Sequence, residues 1–138
     1  MTTCILTNQS HYPLDLSSLK QFSLNCIDAL DMASWNIDIT FVTKPVSKNI
    51  NTHYLNHHYA TDILTFDVSD PNENRADIYI CPAIAKKQAK DFSVSFDNEI
   101  KRLIIHGLLH LIGYDDTTRD AKEAMFAKQE ALLKVLES

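Results

Sequence analysis

Two histidines and an aspartate late in the chain have types and spacing suited to binding a metal. His106, His110, Gly113 and Asp116 form the pattern His-x-x-x-His-x-x-Gly-x-x-Asp. In a helix this spacing places both imidazoles on one face, one turn apart, where a single divalent ion can contact both. Glycine readily adopts a positive φ, so the chain can leave the helix at Gly113 and fold back. The pattern predicts one zinc ion per chain, bound by His106, His110 and Asp116.

A purely structural histidine pair is the alternative. In a chain with six histidines, two can fall four apart by chance and simply hydrogen-bond to each other. The glycine and the carboxylate after it favour the metal, because they complete a three-ligand set typical of catalytic zinc. The segment is also apolar around nearly its whole circumference, which predicts a buried helix on which unpaired polar groups would be costly. Its apolar residues are Ile100, Leu103, Ile104, Ile105, Leu108, Leu109, Leu111 and Ile112.

Hydrophobic periodicity predicts nine elements around this site, in the order βαβαββααα. This order predicts an α+β fold with one small mixed sheet of about four strands, covered by helices, and the metal-bearing helix buried at the centre. The predicted strands are 4–7, 36–43, 62–68 and 76–81, and the predicted helices are 17–32, 47–55, 82–92, one starting near 97, and a last one. The predicted helix caps are Ser17 or Ser18, Ser47, Asp97, and Thr117 or Thr118.

Length and composition indicate one globular domain over residues 1–138. The chain is 45% hydrophobic and 22% charged, which is typical of soluble proteins. No segment approaches the roughly 20 apolar residues of a membrane span, and the amino terminus lacks the pattern of a secretory signal. Three cysteines without a close pair indicate reduced thiols and a cytoplasmic location. They lie at positions 4, 26 and 81.

From about residue 35 onward, the chain resembles the bacterial rRNA maturation factors of the YbeY type. Residues 106–115 read His-Gly-Leu-Leu-His-Leu-Ile-Gly-Tyr-Asp, and the family has His-Gly-x-Leu-His-Leu-x-Gly-Tyr-Asp-His there. Residues 51–54, 61–66, 76–80 and 125–130 resemble further family segments in the same order. The resemblance implies a metal-dependent endoribonuclease in 16S rRNA maturation and ribosome quality control, with ribosomal RNA and the small ribosomal subunit as partners.

The chain departs from the family pattern at two positions. Asp116 stands where the family has its third metal-binding histidine, and a carboxylate is an acceptable zinc ligand beside two histidines. Leu55 stands where the family has an arginine after its Asn-x-x-Tyr segment, and no Arg or Lys occurs from there to Thr61. If that arginine stabilises phosphoryl charge, this protein needs another cation or works more slowly.

Three protein ligands leave zinc an open coordination position for water, and the ion lowers the pKa of that water toward ~7.

A metallopeptidase is disfavoured, because Gly107 stands where His-Glu-x-x-His enzymes carry their general-base glutamate. A non-catalytic ribosome assembly factor with a structural metal is the main alternative. An iron oxygenase that binds its metal through two histidines and one carboxylate has the same ligand types. Such enzymes usually have a barrel fold, and nothing in the sequence indicates one. The general base is unassigned. Asp62 and Asp115 are candidates, although acids at the ends of strands and helices are usually capping or solvated groups.

The net charge of −5 argues against an indiscriminate polyanion binder and gives no reason to expect DNA binding. RNA contact would therefore rest on a local basic surface. The candidate residues are Lys86, Lys87, Lys90 and Arg102. The sequence leaves open the RNA cleavage site, the protein partners and the oligomeric state.

Overall fold

The computed structural model describes residues 3–137, and within them it contains one four-stranded mixed sheet and five helices. The elements follow the predicted order, which confirms the α+β fold. They are β1 (Thr3–Asn8), α1 (Leu16–Ala29), β2 (Trp35–Phe41), α2 (Lys44–Leu55), β3 (Ile63–Asp67), β4 (Asn74–Ile80), α3 (Pro82–Asp91), α4 (Phe96–Leu111) and α5 (Arg119–Glu137). None of the helices in this range combines the length and the hydropathy that a membrane span requires.

The strands are arranged in the order β1-β2-β4-β3. β1 pairs with β2 and β2 pairs with β4 in parallel, whereas β3 runs antiparallel to β4 at the edge. Parallel neighbours require a crossover, which α1 supplies between β1 and β2. The antiparallel pair needs only a short polar turn, in which the Asp70 carboxylate accepts a hydrogen bond from the Asn72 N–H at 2.7 Å. The edge strand β3 contacts α4.

One face of the sheet is buried beneath helices and the other is partly open. On β2, Ile37, Ile39 and Phe41 are fully buried, whereas Asp38 and Thr40 between them are half-buried. β4 alternates in the same way. The alternation along β2 and β4 is therefore that of strands with one face toward the core. Helix α1 packs against β1, and α4 packs against β3 and β4.

Helix α4 is the central packing element. It contacts α1, α3, α5 and two strands. A Cβ at Gly107 would lie only 3.1 Å from Ile63 Cδ1 and 3.2 Å from Thr65 Oγ1. The glycine therefore allows the turn of α4 that carries the histidines to lie close against β3. The fully buried side chains of α4 include Ile100, Ile104, Ile105, Leu108 and Leu109.

The predicted cap of α4 at Asp97 is wrong by two residues. Ser95 caps the helix, because its Oγ accepts a hydrogen bond from the Asn98 N–H at 3.0 Å. Asp97 lies in the first turn, where it is paired with Lys101 at 2.8 Å. A carboxylate in this position still interacts favourably with the positive end of the helix dipole.

The predicted serine caps of α1 and α2 are also wrong, since Asp15 and Thr43 cap these helices. Ser47 has a different contact: its hydroxyl donates to the Thr61 carbonyl at 2.9 Å and accepts from the Thr61 N–H at 3.0 Å. This pair of hydrogen bonds holds α2 to the segment that enters β3. The prediction for α5 is confirmed, because the Thr118 hydroxyl accepts a hydrogen bond from its first turn at 3.0 Å.

Candidate metal centre

His106 and His110 lie one turn apart on α4, as predicted. Their Nε2 atoms are 3.2 Å apart, and the two half-buried rings meet edge to face with centroids separated by 4.7 Å. Two nitrogens that bind one tetrahedral zinc at ~2.0–2.1 Å lie roughly 3.3 Å from each other. The spacing of the two imidazoles therefore suits two ligands of one ion.

A glycine turn ends α4 and reverses the chain. Gly113 has a φ of 104°, its N–H donates to the His110 carbonyl at 3.2 Å, and the Tyr114 N–H donates to the Leu109 carbonyl at 3.1 Å. These two bonds form a Schellman motif with glycine at its left-handed position. The reversal brings an Asp116 oxygen and one nitrogen of each histidine within 4.8 Å of one another.

Asp115 does not belong to this cluster. Its Oδ1 accepts hydrogen bonds from the N–H and the hydroxyl of Thr117 at 3.2 and 2.9 Å, so its carboxylate stabilises the turn. Across residues 3–137, His106, His110 and Asp116 are the one group of three potential ligands that converge. Two imidazoles with one carboxylate fit a divalent ion such as zinc.

The pKa of His110 lies below the ordinary imidazole value. Burial is the largest cause and the neighbouring His106 imidazole adds to it, whereas the Asp116 carboxylate and a hydrogen bond to the Tyr114 backbone oppose it. Because metals bind the neutral imidazole, the lowered pKa keeps His110 ready to bind at neutral pH.

Gln129 is a buried polar residue of α5 that determines the tautomer of His106. Its Oε1 lies 2.8 Å from His106 Nδ1, and its Nε2 donates to Glu130 Oε2 at 3.2 Å. An amide oxygen only accepts hydrogen bonds, so the proton of His106 must be on Nδ1. The lone pair of Nε2 then points toward His110. Such a contact behind a histidine orients it for metal binding.

The same hydrogen-bonded chain continues to Arg102. Its guanidinium donates to both Glu130 oxygens at 2.8 and 2.9 Å and to Glu99 at 3.0 Å. Burial raises the pKa of Glu99, although Arg102 opposes the shift. Burial alone would raise the pKa of Glu130 as well, but the hydrogen bonds from Arg102 and Gln129 outweigh it and lower this pKa. Arg102, predicted as an RNA contact, is thus bound by two carboxylates.

Asp62, one of the two candidate bases, also has both oxygens engaged. Its Oδ1 accepts from the Ile63 N–H at 2.8 Å and the Thr61 hydroxyl at 3.2 Å, and its Oδ2 accepts from Gln88 at 3.2 Å. These contacts hold the start of β3. Asp62 and Asp115 therefore both have structural partners, and the general base stays unassigned.

Three cavities meet at His106, which contributes to the wall of each. The Phe92 cavity, of about 540 Å³, lies among α3, α4 and α5. The Arg119 cavity, of about 410 Å³, lies along the first turns of α5. The Leu55 cavity, of about 520 Å³, lies between the end of α2 and β3. Solvent and substrate can therefore approach the histidines from several sides.

Lys122 is a basic residue beside the site that was not among the residues predicted to contact RNA. It lines the Phe92 and Arg119 cavities, and it forms no ion pair within the described range. Lys122 precedes Gln129 by two helical turns, and this spacing was the available signal that both lie on one face of α5. The predicted Lys86, Lys87 and Lys90 are exposed on α3 and line none of the three cavities.

Comparison with known proteins gives consistent matches over most of the chain. The family model described as Endoribonuclease YbeY matches residues 5–137. Proteins named Endoribonuclease YbeY from Bdellovibrio bacteriovorus and Chlorobium limicola are 34% and 38% identical; they cover 77% and 78% of this chain, and the matches span 71% and 76% of those proteins. Another from Flavobacterium johnsoniae is 39% identical, with 68% of each chain covered.

A solved structure shares the fold. The solution structure of TM1509 from Thermotoga maritima has a TM-score of 0.73 and covers 97% of this chain and 89% of its own, at 24% sequence identity. The similarity in structure supports the fold, while the family model and the relatives of 34–39% identity show the family. The chain therefore belongs to the YbeY family.

Proposed function

We propose that this chain is a metal-dependent endoribonuclease that acts in ribosomal RNA maturation. The observation that carries the proposal is the convergence of His106, His110 and Asp116 where three open cavities meet. Three protein ligands leave a coordination position open, as catalytic zinc sites do. The relatives named Endoribonuclease YbeY supply the reaction class.

A zinc ion held by these residues would supply a water of lowered pKa and would polarise a phosphate oxygen. The remaining roles belong to the chain. Gln129 holds the proton on His106 Nδ1 and so presents Nε2. His110, with its lowered pKa, stays neutral. Lys122, at the wall of two cavities, is placed to neutralise phosphate charge.

The proposed substrate is RNA of the small ribosomal subunit in the cytoplasm. This assignment rests on family membership and on the ordered motifs from Asn51 to Glu130. The chain has a net charge of −5, so only a few phosphate contacts are expected. Each contact on a single strand adds a slope of roughly −0.7 to the logarithmic dependence of affinity on salt, which predicts modest, salt-sensitive binding.

A non-catalytic assembly factor with a structural metal is the second candidate. Leu55, in place of the family's arginine, is half exposed and lines the Leu55 cavity. This cavity contains Asp62, Asp67 and Asp116 but neither lysine nor arginine. It therefore lacks a side-chain cation for the charge that develops during phosphoryl transfer.

Cleavage of precursor ribosomal RNA separates the two candidates. Wild type and His110→Ala are incubated with the RNA, and His11→Asn is the matched control, because His11 is exposed at a positive φ of 68° and lines none of the three cavities. Cleavage by wild type and His11→Asn but not by His110→Ala is expected. Equal cleavage by all three would identify a contaminating nuclease, and metal-dependent ribosome binding without cleavage would favour the assembly factor.

A further inference from the structure

The Phe92 cavity has an aromatic character that the metal site does not require. Phe92, at the end of α3, is 69% exposed, and Phe126 on α5 is 59% exposed. Both line the same cavity together with Val94 and Leu103. Two large exposed rings at one cavity next to a candidate active site form an apolar surface that a flat ligand can cover.

The polar groups of this cavity are mostly satisfied already. Arg102 is bonded to Glu99 and Glu130, and Gln88 donates to Asp62. The cavity therefore offers little free charge to an anion. Lys122 is the exception, and it also lines the Arg119 cavity.

These features suit a nucleotide whose uncharged base binds to the aromatic surface while its charged phosphate binds to Lys122. We propose that the Phe92 cavity is a subsite for one nucleobase of single-stranded RNA next to the cleaved phosphate. The base stacks on Phe126, which lines the same two cavities as Lys122, and Lys122 contacts the phosphate. The proposal rests on the proposed function, because it takes RNA as the substrate.

Size and charge both support this occupant. A volume of about 540 Å³ is within the range of roughly 300–1,000 Å³ typical of small-ligand pockets. Stacking on aromatic side chains is a common means of binding unpaired bases. The Leu55 cavity, on another side of His106, contains three aspartates and no lysine or arginine. The phosphate backbone is therefore directed toward Lys122 and away from that cavity.

Binding of two small probes tests the subsite without requiring catalysis. Adenosine 5′-monophosphate and ribose 5-phosphate share the phosphate but differ in the base, and the methyl NMR signals of Val94 and Leu103 report on this cavity. Wild type is expected to bind the nucleotide more tightly. Phe126→Ala should weaken nucleotide binding roughly tenfold and leave ribose 5-phosphate unaffected, whereas Lys122→Ala should weaken both equally.

Ile5→Ala is the matched control, because Ile5 is 56% exposed on the edge strand β1 and lines none of the three cavities. It should bind both probes as wild type does. Equal affinity of wild type for the two probes, including no binding of either, would overturn the subsite even if RNA is cleaved. A base preference that survives in Phe126→Ala would overturn it as well. Base-dependent binding by a protein that does not cleave RNA would instead contradict the proposed function alone.

Discussion

The Gln129 amide connects the metal ligands to the charged network of α4 and α5. On one side its oxygen accepts the proton of His106 Nδ1, and on the other its nitrogen donates to Glu130. Glu130 is held by Arg102, which fixes the amide in one orientation. A single uncharged side chain therefore decides which nitrogen of His106 faces the candidate metal position.

Replacing Gln129 by leucine should weaken zinc binding by roughly 10- to 100-fold, because the contact that orients His106 is lost. Gln129→Glu keeps an acceptor at Nδ1 and should retain most of the affinity. Competition with a chromophoric chelator measures both. Gln21→Leu, at an exposed position of α1, is the control. An affinity of Gln129→Leu equal to that of this control would exclude the positioning role.

Asp116→Ala should lose metal affinity, while Asp116→His should retain it and restore the family pattern. The physical reason is that a histidine nitrogen replaces the carboxylate oxygen as the third ligand. Asp115→Ala should keep the metal, since that carboxylate is bonded to Thr117. Metal content after dialysis measures the difference. Loss in Asp115→Ala with none in Asp116→Ala would reverse the assignment.

Stability at alkaline pH should depend on Cys26. Burial raises the pKa of this thiol from 9.0 to about 12. The folded chain therefore keeps a proton that the unfolded chain releases, so the contribution of the thiol is fully present below pH 9 and is lost as the pH rises toward 12. The loss approaches about 1.4 kcal/mol per pH unit.

Urea unfolding between pH 8 and 10.5, under reducing conditions, measures this dependence. Cys26→Ala should be less stable at pH 8, because it leaves a cavity, but its free energy of unfolding should fall less steeply with pH. Parallel pH profiles for the two proteins would show that the thiol is not the responsible group.

At the scale of elements, α4 combines three local features that fix the histidines. Gly107 permits a close approach to β3, and the Schellman turn at Gly113 brings Asp116 back. Ser95 caps the other end. The apolar periodicity and both glycines were visible in the sequence, so the helix and its return were predictable. The cap was not, because several candidate caps precede the helix and propensity does not select among them.

Gly107→Val should lower the free energy of unfolding by roughly 1–3 kcal/mol, since the added methyl groups overpack the contact with Ile63 and Thr65. The shift of α4 should also weaken metal binding. Ala127→Val is the control, because it lies at an exposed position of α5. It should lose only about 0.5 kcal/mol of stability, the cost in helix propensity. Chemical denaturation compares the two, and equal losses of stability would show that Gly107 is not needed for close packing.

At the scale of the whole molecule, the sequence predicted the order of all nine elements and the three residues that converge at the site. Periodicity and spacing are local signals, and α4 carries most of the site within one segment. Gln129, Lys122 and the engagement of Arg102 arise from packing between α4 and α5. Gln129 is buried, although it is polar and its neighbour Lys128 is exposed. The spacing of Lys122 and Gln129 places both on one face of α5, but it does not show that this face packs against His106.

The most direct test of the central claim is the rate of RNA cleavage as zinc is added to metal-free protein. The rate should rise with bound zinc and reach a plateau at about one equivalent per chain, the stoichiometry set by one three-ligand site. The His106→Ala/His110→Ala double variant should stay inactive throughout. A full rate in chelator-treated protein without added metal, or an active double variant, would contradict metal-dependent cleavage at this site.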